Sequence, residues 1–253
     1  MPADPVELWL VDLDACGPAL QALEGVTPRL SGEDAKRASQ VPQPREAARR
    51  LTAYIALRIV IERMAGAGVR GQAFARGAAG KPKLEGTSVA FSLSHTEDLA
   101  LIGVARAQCI GVDIEKVRPV RIGQSHTDAI RAAGAGLSRE PLSGPDPERA
   151  FLQAWARLEA FTKARGDTLP NTLADVGVRG RSHGTATTAV IEARARRLVQ
   201  GAGLFVRDVR LPPGLHGAVA TARALPIARA ARFPADRLAL DRILAASGPS
   251  PVP

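Results

Sequence analysis

Two short apolar stretches joined by a polar turn decide the fold class: residues Val89–Ala105 read VAFSLSHTEDLALIGVA. Both arms have the β-like composition of short strands, and the polar residues between them are typical of a turn. Leu204–Ala222, with the sequence LFVRDVRLPPGLHGAVATA, has the same plan. The sequence therefore predicts two small antiparallel sheets, one in each half of the chain.

A long helix precedes each pair of strands. Arg45–Gly66, REAARRLTAYIALRIVIERMAG, repeats apolar residues at helical spacing on more than one face, which indicates a well-buried helix. Glu148–Arg165 is the second clear helix. We therefore expect an α+β protein with a pseudo-twofold duplication, in which each half packs a small antiparallel sheet on one long helix. The expected halves are residues 1–118 and 119–225, followed by a tail of residues 226–253.

The remaining stretches carry shorter patterns. Ser31 is placed to cap a helix, with Asp34 at the capping-box position. Gly, Ser and Pro are frequent in Val117–Pro147, which predicts a linker or a loosely packed excursion. Further strands are predicted at Val6–Leu13, Ile110–Ile114, Val176–Val178 and Thr185–Glu192, and a short helix at Asp236–Ala246.

The charge of the chain is unevenly distributed. Of 253 residues, 45% are hydrophobic, which is enough for a sizeable core, and the net charge is +9. Residues 121–253 hold 19 basic and 11 acidic residues and so carry +8 of that charge. Such an excess suits nucleic acid, a phosphorylated ligand or an acidic protein. Only 4% of residues are aromatic, so the sequence does not predict a stacking platform for single strands.

The sequence gives no sign of a membrane span or a secretory signal. No apolar run approaches the roughly 20 residues that a spanning helix needs. Met1–Ala15 contains four acidic residues and no basic one, which argues against a signal peptide. We therefore expect a cytoplasmic protein. Its two cysteines, Cys16 and Cys109, are too few for a disulfide scaffold or a cysteine-based zinc site.

Two carboxylates lie on one strand in Gly111-Val112-Asp113-Ile114-Glu115. Residues two apart in a strand point to the same face, so Asp113 and Glu115 project together and repel unless a positive charge lies between them. A divalent cation such as Mg²⁺ satisfies this condition, since it binds a few protein carboxylates together with phosphate oxygens. A solvated strand edge with Lys116 and Arg118 as partners is the alternative interpretation.

A third acidic residue lies on the second long helix. Glu159 and Lys163 are four residues apart and share a helix face. A surface ion pair explains this spacing. The functional interpretation is a further acidic ligand or a base, beside a lysine that reaches a phosphate.

Two more short motifs carry groups that suit phosphate binding. Ser94 and His95 end a strand in Phe91-Ser92-Leu93-Ser94-His95, where they can bind phosphate oxygens. Lys81 precedes Pro82 in Gly80-Lys81-Pro82, so its backbone is restricted to an extended conformation. Taken alone, the first motif is better explained as a turn with an incidental histidine, and the second as a simple turn.

In this order the motifs resemble those of the larger, surfactin-synthetase-accessory type of 4′-phosphopantetheinyl transferase. That family carries G-K-P, F-x-x-S-H, (I/V)-G-(I/V)-D-x-E and, roughly forty residues later, W-x-x-K-E-(A/S)-x-x-x-K. Here 41 residues separate Asp113 from Trp155. The resemblance extends over about residues 6–222. One departure stands out: Leu158 occupies the place of the family's lysine before the acidic residue.

The resemblance implies a monomer with coenzyme A at the seam between the two halves. It assigns Asp113, Glu115 and Glu159 to Mg²⁺, with Mn²⁺ also suited to oxygen ligands. It makes Glu159 and Lys163 the catalytic residues, Glu159 removing the proton of the acceptor serine directly or through water. It assigns the binding of coenzyme A and its phosphates to Arg37, Arg49, Lys81, Pro82, Ser94, His95 and Lys163.

The implied reaction transfers the 4′-phosphopantetheine group of coenzyme A to a serine of an apo carrier protein of a fatty-acid, polyketide or peptide synthetase, and releases adenosine 3′,5′-bisphosphate. Such carriers are typically acidic, so the basic second half would attract them. Leu158 motivates an alternative: a weakened family member that binds coenzyme A or a carrier without efficient transfer. Nucleic-acid binding is a third hypothesis, motivated by charge alone.

Overall fold

The computed structural model describes residues 6–144, 146–178 and 186–245. Within this part the chain forms two compact units. The first comprises residues 6–76, 82–107 and 231–245, and the second comprises the described residues of 77–81 and 108–230. In chain order the elements are β1 (Val6–Asp12), α1 (Leu13–Val26), α2 (Gly32–Ser39), α3 (Pro44–Ala65), a 3₁₀ turn (Ala67–Val69), β2 (Ala75–Arg76), β3 (Pro82–Lys83), β4 (Val89–Thr96), β5 (Leu99–Arg106), β6 (Ile110–Lys116), α4 (Gln124–Leu137), α5 (Pro147–Arg165), α6 (Leu169–Val176), α7 (Thr188–Gly201), β7 (Phe205–Asp208), β8 (Leu215–Thr221), β9 (Ala231–Arg232) and α8 (Arg237–Ala245).

The first unit packs α3 against a four-stranded sheet of order β4-β5-β1-β9. β4 and β5 form the predicted hairpin, paired antiparallel from Val89↔Arg106 to Thr96↔Leu99. The last pair, β1 and β9, is parallel, so this sheet is not wholly antiparallel as expected. Burial of Ile55, Ile59 and Ile61 at 1% exposure or less confirms that α3 contacts the core on more than one face.

A buried ion pair fixes the short helix α2 to α3. Ser31 is its N-cap, and the Asp34 side chain accepts a hydrogen bond from the Ser31 N–H, which confirms the predicted capping box. Asp34 also accepts a hydrogen bond from Arg58 Nε at 2.9 Å. Both side chains are almost fully buried, so their charges are balanced inside the unit.

The second unit packs α5 against the antiparallel sheet β6-β8-β7. Gly111 on β6 permits this contact, because a Cβ atom there would lie 2.1 Å from the carbonyl oxygen of Ala160 and 2.4 Å from the nitrogen of Ala164. Backbone therefore meets backbone where β6 crosses α5. This crossing holds the two elements that carry the predicted acidic residues.

The linker predicted over Val117–Pro147 is wrong, because Gln124–Leu137 forms the helix α4. The glycines of α4 serve close packing instead of a loop. A Cβ atom on Gly134 would lie 2.4 Å from the Ala154 Cβ of α5, and one on Gly136 would lie 2.3 Å from the Glu192 carbonyl oxygen of α7. α4 is therefore a central helix of the second core.

Two predicted strands are also wrong. Val176–Val178 covers the last residue of α6 and the left-handed Gly177 that ends this helix. Thr185–Glu192 falls mainly on α7, where Ile191 is fully buried, and its first residue lies outside the described residues. β-branched residues suggested strands here, but burial of one helical face decides the structure.

The boundaries between the two units differ from residues 118 and 225, which are the predicted ends of the two halves. β6 pairs with β8 along its whole length, from Ile110↔Thr221 to Lys116↔Leu215, so it belongs to the second unit. β9 and α8 of the predicted tail belong to the first unit; residues 246–253 of that tail lie outside the described residues. The α+β class is confirmed, and the pseudo-twofold duplication stays a prediction.

In the described ranges, no helix has both the length and the apolar character that crossing a membrane would require.

Candidate active site

Asp113 and Glu115 lie on the face of β6 that α5 covers. Residues two apart on a strand share a face, and the face of Gly111 is the one that touches α5. Asp113 is buried at 4% exposure, and the Glu115 side chain is 12% exposed. The strand therefore presents both carboxylates to the helix that carries Glu159 and Lys163.

Lys163 joins β6 to α5. Its Nζ donates to Asp113 Oδ1 at 2.7 Å and lies 3.8 Å from Glu159 Oε2. The ion pair of Glu159 and Lys163 that the helix spacing predicts is thus present, and it extends to a carboxylate fifty residues earlier in the chain. We call Asp113, Glu115 and Glu159 the acidic cluster.

Arg118 supplies a second positive charge to the acidic cluster. Its Nη1 donates to Glu115 Oε2 at 2.5 Å, and the Arg118 side chain is half exposed. This is one of the two partners that the strand-edge interpretation named for Glu115. Glu115 therefore faces α5 on one side and a solvent-exposed arginine on the other.

Burial and mutual repulsion act on the acidic cluster together. Burial raises the pKa of Glu159; Lys163 opposes this, and the charges of Asp113 and Glu115 add to it. Burial likewise raises the pKa of Glu115, with Arg118 opposing and Asp113 adding. The ionised forms of Glu159 and Glu115 are therefore disfavoured, and additional positive charge beside them would be favourable.

The donor chemistry of the cluster fits a divalent cation that prefers oxygen. Among the described residues no three His, Cys, Asp or Glu side chains already form a metal-binding group. A complete protein cage is not required for Mg²⁺, which uses one or two carboxylates together with water and phosphate oxygens. In the structure the balancing charge comes from Lys163 and Arg118.

Lys81, predicted to bind phosphate, contacts backbone carbonyl groups instead. Its Nζ donates to the carbonyl oxygen of Ile110 at 2.9 Å and to that of Ala164 at 3.3 Å. These are the first residue of β6 and the last turn of α5, so one amine ties together the two elements of the acidic cluster. Burial lowers the pKa of Lys81.

Arg49 and His95 line one small cavity in the first unit. The cavity has a volume of about 20 Å³ and is also bordered by Glu46, Arg50 and Glu97. Arg49 is held by acidic neighbours: its Nε and Nη2 donate to Asp14 at 2.8 and 2.7 Å, and its Nη1 donates to Glu46 at 2.9 Å. These contacts raise the pKa of Arg49, mainly through Asp14.

The other predicted phosphate ligands of the first unit have separate surroundings. Ser94 precedes His95 on β4 and is half-buried. Arg37 is half-buried on α2 and pairs with Glu33 at 2.8 Å, and it does not line the cavity of Arg49 and His95. Pro82 begins β3 and pairs with Arg76.

Sequence reasoning missed several neighbours of the predicted site. Glu46 lies one helical turn from Arg49, so its spacing was a usable signal. Asp14 lies 35 residues from Arg49 and gave no local signal. Arg50, which lines the same cavity, follows Arg49 directly, and its positive charge was the one signal in the sequence for a role in this site.

The departure from the family pattern at Leu158 is part of the core. Leu158 is fully buried in the second core. Arg157 does not replace the family's lysine, because its side chain is 0% exposed and donates to Asp208 Oδ1 at 2.8 Å and Oδ2 at 2.6 Å. Neither residue presents a cation to a substrate.

Comparison with known proteins gives the family. Residues 109–207 match the model of the 4′-phosphopantetheinyl transferase superfamily, a segment that contains Asp113, Glu115, Glu159 and Lys163. A Synechocystis sp. protein with the name "Putative 4'-phosphopantetheinyl transferase slr0495" is 30% identical over 174 residues, which are 67% of this chain and 68% of that protein.

Two further relatives bear the same activity in their names. 4′-Phosphopantetheinyl transferase HetI of Nostoc sp. is 29% identical over 65% of this chain and 70% of its own length. 4′-Phosphopantetheinyl transferase psf-1 of Bacillus pumilus is 27% identical over 72% of this chain and 77% of its own length. The chain belongs to the 4′-phosphopantetheinyl transferase superfamily. Its interpretation as a transferase of this family is confirmed.

Proposed function

We propose that this protein transfers the 4′-phosphopantetheine group of coenzyme A to a serine of an apo acyl, polyketide or peptidyl carrier protein, in a magnesium-dependent reaction. The observation that carries the proposal is the meeting of Asp113 and Glu159 at one lysine, in a chain of this superfamily. The names of the relatives supply the group that is transferred.

In the proposed reaction the serine oxygen attacks the β-phosphorus of coenzyme A. A new phosphorus–oxygen bond forms, the bond to the second phosphate breaks, and adenosine 3′,5′-bisphosphate leaves with the electron pair. The serine proton passes to the Glu159 carboxylate, directly or through one water. A raised pKa makes Glu159 a better proton acceptor than an ordinary glutamate.

The acidic cluster would hold the magnesium ion, with Asp113, Glu115 and Glu159 as its protein ligands. When bound, the ion would neutralise charge on the pyrophosphate. Lys163 lies on the same face of α5 and would leave Asp113 to meet a phosphate oxygen. Mn²⁺ would satisfy the same oxygen ligands.

The other predicted ligands would bind the nucleotide end of coenzyme A. Arg49 and His95 share one cavity and offer a cation and a titratable ring, with Ser94 beside them and Arg37 as an outer contact. Lys81, directly before β3, and Pro82, the first residue of β3, would complete this set of ligands. The surfactin-synthetase-accessory type and the monomeric state stay predictions.

The test is the mass of an apo carrier protein after incubation with coenzyme A and Mg²⁺. We expect a gain of one phosphopantetheine group on the carrier serine, and none with a carrier whose serine is alanine. No gain with fatty-acid, polyketide and peptide-synthetase carriers would refute the proposal. Chelation by EDTA should abolish the gain, and added Mg²⁺ should restore it.

The buried Leu158 favours one alternative, a family member that binds coenzyme A or a carrier without efficient transfer. Calorimetric binding of coenzyme A in the absence of any mass gain would support this alternative.

A further inference from the structure

The sheet of the second unit continues beyond the end of β7, outside the acidic cluster. The Val209 N–H donates to the Gly217 carbonyl at 2.8 Å, one residue past the strand. The Arg210 N–H then donates to the Ala228 carbonyl at 2.8 Å, and Arg210 pairs with Arg229 as an isolated parallel bridge. Two arginines therefore stand on neighbouring segments at one end of the sheet.

These two arginines carry uncompensated charge. Both are exposed, and no ion pair involving either one occurs among the residues that the structure describes. Paired residues of neighbouring segments lie about 5 Å apart, and like charges at this distance repel. An anionic partner would relieve the repulsion.

A recess with an apolar part and a charged part lies next to the arginines. A cavity of about 320 Å³ has the apolar residues Val209, Pro141, Pro226 and Ile227 in its wall beside Arg210. Its charged part consists of Glu140, Arg207 and Asp208, and both carboxylates are already paired with arginines, Glu140 with Arg207 and Asp208 with Arg157. Ile227 is 58% exposed, which makes it the third most exposed large apolar side chain of the described residues, after Val26 and Leu238. The cavity is at the lower limit of ligand pockets, roughly 300 Å³, which suits one or two apolar side chains of a partner.

Arg210 and the cavity beside it lie close to the acidic cluster. Since Val209 lies opposite Gly217, Arg210 lies level with His216, and His216 pairs with Glu115. Neighbouring strands are about 4.8 Å apart, so the backbone of Arg210 lies about 10 Å from that of Glu115. A protein interface of ordinary size buries about 800 Å² on each partner. A protein bound over Arg210 and Arg229 would therefore also reach the end of β6.

We propose that Arg210, Arg229 and Ile227, with the cavity beside them, form a docking surface for an acidic carrier protein. Carboxylates of the carrier contact the two guanidinium groups, and one of its apolar side chains enters the cavity. This inference rests on the proposed function, because it names the surface that receives the acceptor. Nucleic acid fits less well, since no aromatic side chain lines the cavity for base stacking.

The test compares the kinetics of charge-reversed variants with one apo carrier protein, the carrier on which the unmodified enzyme has its lowest KM. The double variant Arg210→Glu with Arg229→Glu should raise KM for the carrier at least tenfold and leave KM for coenzyme A within twofold. The neutral double variant, Arg210→Gln with Arg229→Gln, should raise KM for the carrier about threefold. Ile227→Asp should raise it as well. Higher salt should weaken carrier binding of the unmodified enzyme more than that of the double variants.

The control is the double variant Arg197→Glu with Arg242→Glu, which makes the same change of four charge units at exposed positions on α7 and α8. An equal rise in KM with this control would mean that net charge alone matters, and would overturn the proposal. Unchanged KM for the carrier in all the surface variants would overturn it too, as would tight binding of duplex or single-stranded DNA at 0.15 M salt that is lost in the same variants. If the unmodified enzyme transfers nothing to any carrier, the proposed function fails and this inference fails with it. Transfer by the unmodified enzyme with unaffected variants refutes the docking surface alone.

Discussion

Arg157 and Glu159 lie two residues apart on α5, yet they differ in the burial of their side chains and in the partners of their charges. Arg157 is fully buried and bonded to Asp208, which also accepts a hydrogen bond from Gln153. Glu159 is partly exposed and shares Lys163 with Asp113. We call the first group, with Glu140 and Arg207, the Arg157 network.

One residue of each group lies at the same level of the sheet. Asp113 pairs with Ala218, and Ala218 pairs with Asp208 on its other side. In the Arg157 network each charge has an opposite partner, so the group stabilises the fold. In the acidic cluster burial and the neighbouring carboxylates instead raise the pKa values of Glu159 and Glu115. Incomplete compensation, rather than burial of charge, marks the candidate site.

The largest expected effect comes from Glu159→Gln. Loss of the proposed proton acceptor should lower the rate of transfer by roughly 10³-fold, without loss of stability, because the carboxylate is poorly compensated. The measurement is the initial rate of carrier modification by mass spectrometry, with the thermal midpoint recorded in parallel. The control is Asp175→Asn, which removes an exposed carboxylate that pairs with Arg165. A rate within twofold of that of the unmodified protein would remove Glu159 from the mechanism.

The second expected effect is on stability. Asp208→Asn leaves the fully buried Arg157 without its carboxylate, and should lower the free energy of unfolding by about 3 kcal/mol. Urea unfolding monitored by tryptophan fluorescence measures it. Asp128→Asn, which removes the exposed partner of Arg131, should change stability by less than about 0.5 kcal/mol. Equal losses in the two variants would show that the Arg157 network does not carry the stability ascribed to it.

A smaller effect distinguishes two roles for Lys81. If its amine ties β6 to α5 through carbonyl groups, Lys81→Met should lower stability by about 1–2 kcal/mol and kcat by roughly tenfold through displacement of the acidic cluster. KM for coenzyme A should stay constant. Lys83→Met is a matched control, because Lys83 is exposed and lies two residues away. A rise in KM for coenzyme A with kcat unchanged would instead identify Lys81 as a phosphate ligand.

The smallest effect is an opposite pH dependence of stability in the two groups. Burial opposes ionisation of Glu140, but hydrogen bonds from the Asp208 N–H and Arg207 outweigh it and lower its pKa below 4.5. Ionised Glu140 therefore stabilises the fold above pH 4.5, and this contribution is lost as the pH falls through the folded-state pKa. Glu140→Gln should be less stable than the unmodified protein at pH 7, with the difference closing in acid.

In the absence of added metal, Glu159 should give stability the opposite pH dependence to that of Glu140. Burial raises its pKa above 4.5, so the ionised form costs stability as the pH rises through the folded-state value. Glu159→Gln should therefore be more stable than the unmodified protein at pH 7, and equal to it below pH 4.5. Thermal midpoints measured from pH 4 to pH 8 decide this. Parallel curves for the two variants would contradict the electrostatic difference between the groups.

Local signals made part of the fold predictable. Ser31 and Asp34 form their capping box within four residues, and the apolar spacing of α3 is regular. α4 was missed because its core contacts use Ala and Gly, whose small size lets three helices approach closely. Composition alone does not distinguish such a helix from a loop.

The candidate site likewise has residues that could be predicted from the sequence and contacts that could not. Asp113, Glu115 and Glu159 were predictable as carboxylates on a strand and a helix, and Lys163 followed from helix spacing. The bonds of Lys81 to Ile110 and Ala164 were not, because they depend on carbonyl groups that every residue possesses. The full burial of Arg157 was equally hidden, since its partner Asp208 lies 51 residues away.

The bare backbone contact at Gly111 has a consequence for engineering this enzyme. With no side chain separating β6 from α5, the spacing between the two elements is at its minimum and cannot be tuned by choosing among larger residues. Libraries that seek new acceptor specificity should therefore leave Gly111, Ala160 and Ala164 constant. They should vary residues at the end of the sheet where Arg210 and Arg229 lie.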